Sequence, residues 1–173
     1  MRLVRPALLA LFVVVSGQLE LHGTPIVLSG ETHMISLEAG VSYLIDAEHT
    51  MEPMEAYQRR ASFEPLRGRS VQIPRDGVMW VYLELVNRGA SPRWYIENQV
   101  NVEEMALFLP DGGDWTVRQR TGNLVPFSER EIRTRRPTVA VDLPQDRTVP
   151  VLLRVSDYQS SNVRLRLFPH RQF

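Results

Sequence analysis

Cysteine is absent from the 173 residues, and so is lysine: all 20 basic residues are arginine. The missing cysteine excludes disulfides, thiolate zinc sites, iron–sulfur ligation and thiol nucleophiles. The missing lysine excludes Schiff-base chemistry and phosphate loops that depend on a lysine. Histidine is scarce, with four residues at His22, His33, His49 and His170. They form no His-Glu-x-x-His pattern, and no Gly-x-Ser-x-Gly elbow occurs. Charge of one sign is also lacking, since 20 acidic residues balance the 20 basic ones. No broad field therefore favours nucleic acid or an anionic membrane surface. These absences leave little room for an enzyme, and no cofactor is implied.

What is present is a core. Hydrophobic residues make up 43% of the chain, too many for a disordered protein and enough for one domain of ordinary size. A core of that size folds in an oxidising compartment without disulfides.

The chain begins as an exported protein does. Arg2 and Arg5 precede the apolar run Ala7 to Val15, and Val15-Ser16-Gly17 supplies small residues for cleavage. The run is too short to span a bilayer. The expectation is a signal peptide over residues 1–17 and a single mature domain over 18–173. Removing Arg2 and Arg5 leaves 18 basic against 20 acidic residues.

The mature chain reads as short strands. In Val78 to Asn87, Met79, Val81, Leu83 and Leu85 fall on one face, and Trp80, Tyr82 and Glu84 on the other. Met105-Leu107-Leu109, Val151-Leu153-Val155 and Val163-Leu165-Leu167 repeat the alternation. Further strands are expected at Ile35 to Leu37, Val41 to Ile45, Val71 to Ile73, Arg93 to Ile96, Trp115 to Gln119 and Val139 to Leu143. Turn residues at Asn87-Arg88-Gly89, Pro110-Asp-Gly-Gly113 and Leu143-Pro-Gln-Asp146 separate them. One helix is expected, Thr50 to Arg60, with Thr50 as its cap. The pattern predicts an all-β antiparallel sandwich with one short helix.

Several groups invite a functional reading. Trp80, Tyr82 and Glu84 share the polar-aromatic face of the best strand. Rings that stack on C–H surfaces beside groups that fix orientation suit sugar-like or small polar ligands. Arg93 and Arg154 join them if their strands are neighbours. The alternative is that Trp80 and Tyr82 simply pack beneath a loop or the helix. Asp111 and Asp114 offer oxygen ligands for calcium, but their spacing fits a plain hairpin turn better. Ser128-Glu-Arg-Glu131 has capping-box spacing. Arg133, Arg135 and Arg136 form a small basic patch, a solvated face or an anion site. Glu103 and Glu104 are neighbours, which in a strand would point to opposite faces and form no acid–base pair.

An ordered series of segments carries a family resemblance. It comprises Val41-Ser-Tyr-Leu-Ile-Asp46, Phe63-Glu-Pro-Leu66, Val78 to Asn87, Arg93-Trp-Tyr-Ile-Glu97 and Val102 to Leu109 with its Asp-Gly turn. Thr121-Gly122, Pro126-Phe-Ser-Glu-Arg130 and Val151-Leu-Leu-Arg-Val155 follow. Together they resemble the type 2 extracellular domain of seven-transmembrane receptors with diverse intracellular signalling modules (7TMR-DISM), over nearly all of the mature chain. The resemblance implies a jelly-roll sandwich of the carbohydrate-binding-module kind, placed in the periplasm ahead of seven membrane helices. The cytoplasmic output beyond them is often a diguanylate cyclase or histidine kinase. The chain stops at Phe173, about where the membrane part would begin. The expected function is ligand sensing for a bacterial membrane receptor, with a small molecule or glycan as ligand and the membrane-embedded receptor as partner. The alternative is a stand-alone secreted or periplasmic carbohydrate-binding or adaptor module.

Overall fold

The computed structural model describes residues 24–37, 39–68 and 70–170. The expected leader lies outside them. Among the described residues thirteen strands form in chain order: β1 Ile26–Leu28, β2 Ile35–Ser36, β3 Val41–Asp46, β4 Glu64–Pro65, β5 Val71–Ile73, β6 Gly77–Asn87 and β7 Arg93–Asn98, then β8 Glu104–Asp111, β9 Asp114–Thr121, β10 Thr138–Asp142, β11 Thr148–Asp157, β12 Ser161–Val163 and β13 Leu165–Pro169. One α-helix, α1, spans Pro53–Gln58.

The strands build a sandwich. One sheet has the order β4-β3-β6-β11-β8-β9, with β1 added in parallel along the end of β6. The facing sheet has the order β10-β7-β13-β2, and β12 pairs with β5 in a small third sheet. Consecutive strands cross repeatedly between the two main sheets, as in a jelly roll. Both main sheets pair antiparallel apart from β1.

The alternation in β6 sets the main core. Met79, Val81, Leu83 and Leu85 face inward with Val151, Leu153 and Val155 of β11 and Met105 and Leu107 of β8. They meet Trp94 and Ile96 of β7, Val139 and Val141 of β10, and Leu165 and Leu167 of β13. A one-residue slip would turn each row to the other face, so the pattern pins the register.

The edge between the sheets is closed by one side chain. β10 ends its sheet and so presents unpaired backbone groups. Gln119 of β9 meets them: its Nε2 donates to the Ala140 carbonyl at 2.9 Å and its Oε1 accepts from the Ala140 N–H at 2.8 Å. An amide side chain here substitutes for a neighbouring strand.

The differences from the sequence reading have local causes. The helix is shorter than Thr50 to Arg60 and starts behind Glu52, with no side-chain cap; a turn of 3-10 helix follows at Arg60–Ser62. Pro53 fits only a first turn. The Asp46 carboxylate accepts from the N–H groups of His49 and Met51 at 2.9 and 3.0 Å, which keeps the lead-in a loop. The run Val163 to Leu167 is two strands, because the chain switches sheets at Arg164. No helix follows Ser128. The Arg130 guanidinium organises that loop instead, donating to the carbonyls of Gly122, Val125 and Thr134 at 2.6, 3.0 and 3.4 Å.

Candidate functional site

The outward face of β6 is a second core. Trp80 is 0% exposed and Tyr82 4%. They pack with Val78, Leu152, Ala106 and Phe108 beneath Met51, Ala56 of α1, Phe63 and Trp115. The Trp80 and Phe108 rings are 5.4 Å apart. Tyr57 of α1 lies 4.9 Å from Trp115 and 6.0 Å from Tyr82, and the Arg60 guanidinium sits 4.1 Å over the Tyr57 ring. The expected stacking platform is therefore covered, and a buried ring cannot receive a ligand from solvent. The Trp80 Nε1 has no partner among the described residues, so this ring is placed for its volume.

Only the ends of the proposed group reach water. The Tyr82 hydroxyl donates to Glu84 Oε1 at 2.5 Å. Burial, then the Glu84 carboxylate, pushes the Tyr82 pKa up from its ordinary value. Arg154 stands across from Trp80 and Ala106, and its Nη1 is 3.8 Å from Glu104 Oε1. Glu84 lies four positions along β6 from Trp80, roughly 13 Å at the usual strand rise. Arg93 lies in the other sheet, on β7. The five residues Trp80, Tyr82, Glu84, Arg93 and Arg154 do not converge on one surface.

Arg154 instead lines a hollow of about 310 Å³ with His49, Asp76, Glu103, Glu104 and Asp157. Glu103 and Glu104 share this hollow because β8 begins at Glu104, so strand parity does not yet apply to Glu103. At the β8–β9 hairpin, Gly112 and Gly113 have φ of 61° and 97°, the backbone of a two-residue turn. Asp111 accepts from Arg118 at 2.8 Å, and Asp114 Oδ1 from the Trp115 N–H at 2.7 Å. Among the described residues no group of three or more His, Asp or Glu is placed to hold a metal ion.

Arg93 leads to a better-formed site. Its guanidinium bonds the Glu131 carboxylate and stands 3.7 Å from Asp142 Oδ2. Burial works against its charge, but Asp142 and Glu131 outweigh that and hold its pKa above the ordinary value. Both carboxylates line a cleft of about 580 Å³ where the two sheets part. Leu109 and Val149, which continue the inner faces of β8 and β11, form its apolar floor with Pro110 and Pro150. Arg118, Gln119, Glu131, Asp142, Arg147 and Thr148 form its polar rim. Small-molecule sites have this volume and this division into apolar lining and a few polar groups. In the sequence these residues read only as strand positions (Leu109, Gln119, Ala140, Asp142) or as turn and capping signals (Pro110, Glu131, Pro144), and none as a ligand contact. A cleft between sheet edges joins four chain segments and leaves no local pattern.

These features define an all-β sandwich domain with a covered outer face and an open inter-sheet cleft. The family model described as 7TMR-DISM extracellular 2 matches residues 38–169, more than half of the chain, and the chain belongs to that family. It is by family a sensor-type extracellular domain of membrane receptors. No curated protein matches the chain significantly. No helix among the described residues is long and apolar enough to cross a membrane.

Proposed function

We propose that this chain is the non-catalytic, periplasmic ligand-sensing domain of a bacterial signalling receptor, and that its ligand is a small polar molecule held in the cleft between the sheet edges. Residues 1–17 direct export and 18–173 form the sensor. The observation that carries the site is the cleft itself, with an apolar floor and charged rim at the junction of β8, β9, β10 and β11. Among the described residues no aromatic ring lines it, which favours a small polar ligand over a stacked sugar ring. A ligand bridging the two sheet edges would favour whichever signalling state holds those edges at the matching separation. The shift is limited by the difference in affinity between states.

The test is thermal unfolding of the purified chain against a panel of sugars, amino acids, organic acids and nucleosides. A ligand should raise the melting temperature, and Thr148→Trp, which adds a large side chain to the cleft lining, should abolish the rise. A ligand that stabilises Thr148→Trp as well as it stabilises the parent would remove the cleft from the proposal. The adjoining coding sequence checks the receptor assignment: seven apolar segments after Phe173 support it, and a stop codon there favours a stand-alone adaptor module.

A further inference from the structure

The charges around the cleft are arranged by wall. Arg118 and Arg147 come from β9 and the lead-in to β11, on the seven-stranded sheet. Asp142 belongs to β10 of the facing sheet, and Glu131 to the 122–137 loop. That loop is fixed against the same sheet by Ile132, which packs on Tyr95, Ala140 and Phe168.

Internal ion pairing does not cancel the two walls equally. On the first, Arg118 is matched by Asp111. Arg147 is exposed and forms no ion pair among the described residues, so this wall keeps one positive charge. On the second, Glu131 and Asp142 share the single guanidinium of Arg93, so this wall keeps one negative charge. Asp142 is the freer of the two: its side chain is 72% exposed and its contact with Arg93 is the longer one at 3.7 Å.

The backbone adds a second kind of contact. Ala140 aims its N–H and carbonyl away from β7, where Gln119 takes both. Asp142 is the next β10 residue whose groups face that way, and it lies in the cleft.

We infer that the cleft takes a small zwitterion of the free α-amino-acid type, its carboxylate on Arg147 and its ammonium on Asp142, with its side chain against Leu109 and Val149. This rests on the cleft being the ligand site. A zwitterion satisfies both walls and buries no uncompensated charge, whereas a neutral sugar leaves both unmatched. A simple anion would meet Arg147 but face the carboxylates across the cleft.

Calorimetric titration tests this with the twenty L-amino acids, each beside its carboxamide and its N-acetyl derivative, and with glucose and N-acetylglucosamine as neutral polar probes. At least one amino acid should bind, and its carboxamide and N-acetyl derivative should each bind at least tenfold more weakly. Arg147→Ala should weaken the amino acid at least tenfold while changing the carboxamide less than twofold. Arg135→Ala, outside the cleft, should change neither. A neutral sugar that binds the parent but not Thr148→Trp would overturn the zwitterion and leave the cleft standing. Amino-acid binding that survives Thr148→Trp would overturn both, as would a panel with no binder. Amino-acid binding unchanged by Arg147→Ala or by amidation would overturn the inferred carboxylate anchor.

Discussion

The outward face of β6 and the edge cleft are built from opposite materials. The first gathers Trp80, Tyr82, Phe108, Trp115 and Tyr57. The second has no ring in its lining among the described residues and carries arginines, carboxylates, prolines and short aliphatic side chains. By composition the aromatic face looks more like a binding surface. Yet it is buried, because α1 and Phe63 lie across it, while the cleft stays open beside the Gln119–Ala140 contact. Aromatic rings on a strand face mark a place where something packs. Whether that partner is a ligand or the protein's own helix depends on where a distant segment comes to rest.

Four experiments press on this contrast. Trp80→Ala should have the largest effect, a loss of about 3–5 kcal/mol in denaturant unfolding, as large-to-small core substitutions produce. A loss under about 1 kcal/mol would mean that the aromatic face is not packed as described. Gln119→Leu should be next. It leaves the Ala140 N–H and carbonyl without their partner, at about 1–3 kcal/mol for each buried group. It should also speed amide exchange at Ala140, with little change at Trp80.

Tyr82→Phe tests the pH behaviour of the covered face. The Tyr82 pKa is raised in the folded state, so its contribution is fully present below the unfolded value near 10 and is lost as pH rises toward the folded one. Stability should fall above about pH 10, with a shallower fall in Tyr82→Phe. Tyr43, raised by its bond to Glu64, shifts in the same direction, so some slope should persist. An unchanged slope would remove Tyr82 as the cause. Arg147→Ala should have the smallest effect on folding, within about 0.5 kcal/mol for an exposed side chain, while reducing any ligand-induced rise in melting temperature. Stability lost without loss of binding would reverse the roles given to the two regions.

Much of the fold is legible in short stretches of sequence. The rows Met79-Val81-Leu83-Leu85 and Val151-Leu153-Val155 point inward as their period of two requires. The Asp111 to Asp114 turn forms where two glycines permit positive φ. Short elements are harder. β1 and β4 are three and two residues long, too short to show a period, and are strands only through pairing with β6 and β3. The break at Arg164 is hidden because Val163, Leu165 and Leu167 keep one parity across it and all enter the main core.

The candidate site divides in the same way. Arg93 is legible as a charged residue at a strand start, but its importance comes from Glu131 and Asp142, 38 and 49 positions later in the chain. Arg118 and Arg147 look like any other arginine near a turn.

The sequence by itself determined the β class, the inward row of each long strand, the main turns and the membership in a receptor-domain family. Each of these follows from patterns within a few residues, or from an ordered series of such patterns. Tertiary structure alone decided that Trp80 and Tyr82 are covered, that Gln119 closes one edge, and that the two charged walls face each other across a cleft. Those outcomes require segments far apart in the chain to occupy the same few ångströms, and strand parity carries no information about which segment arrives.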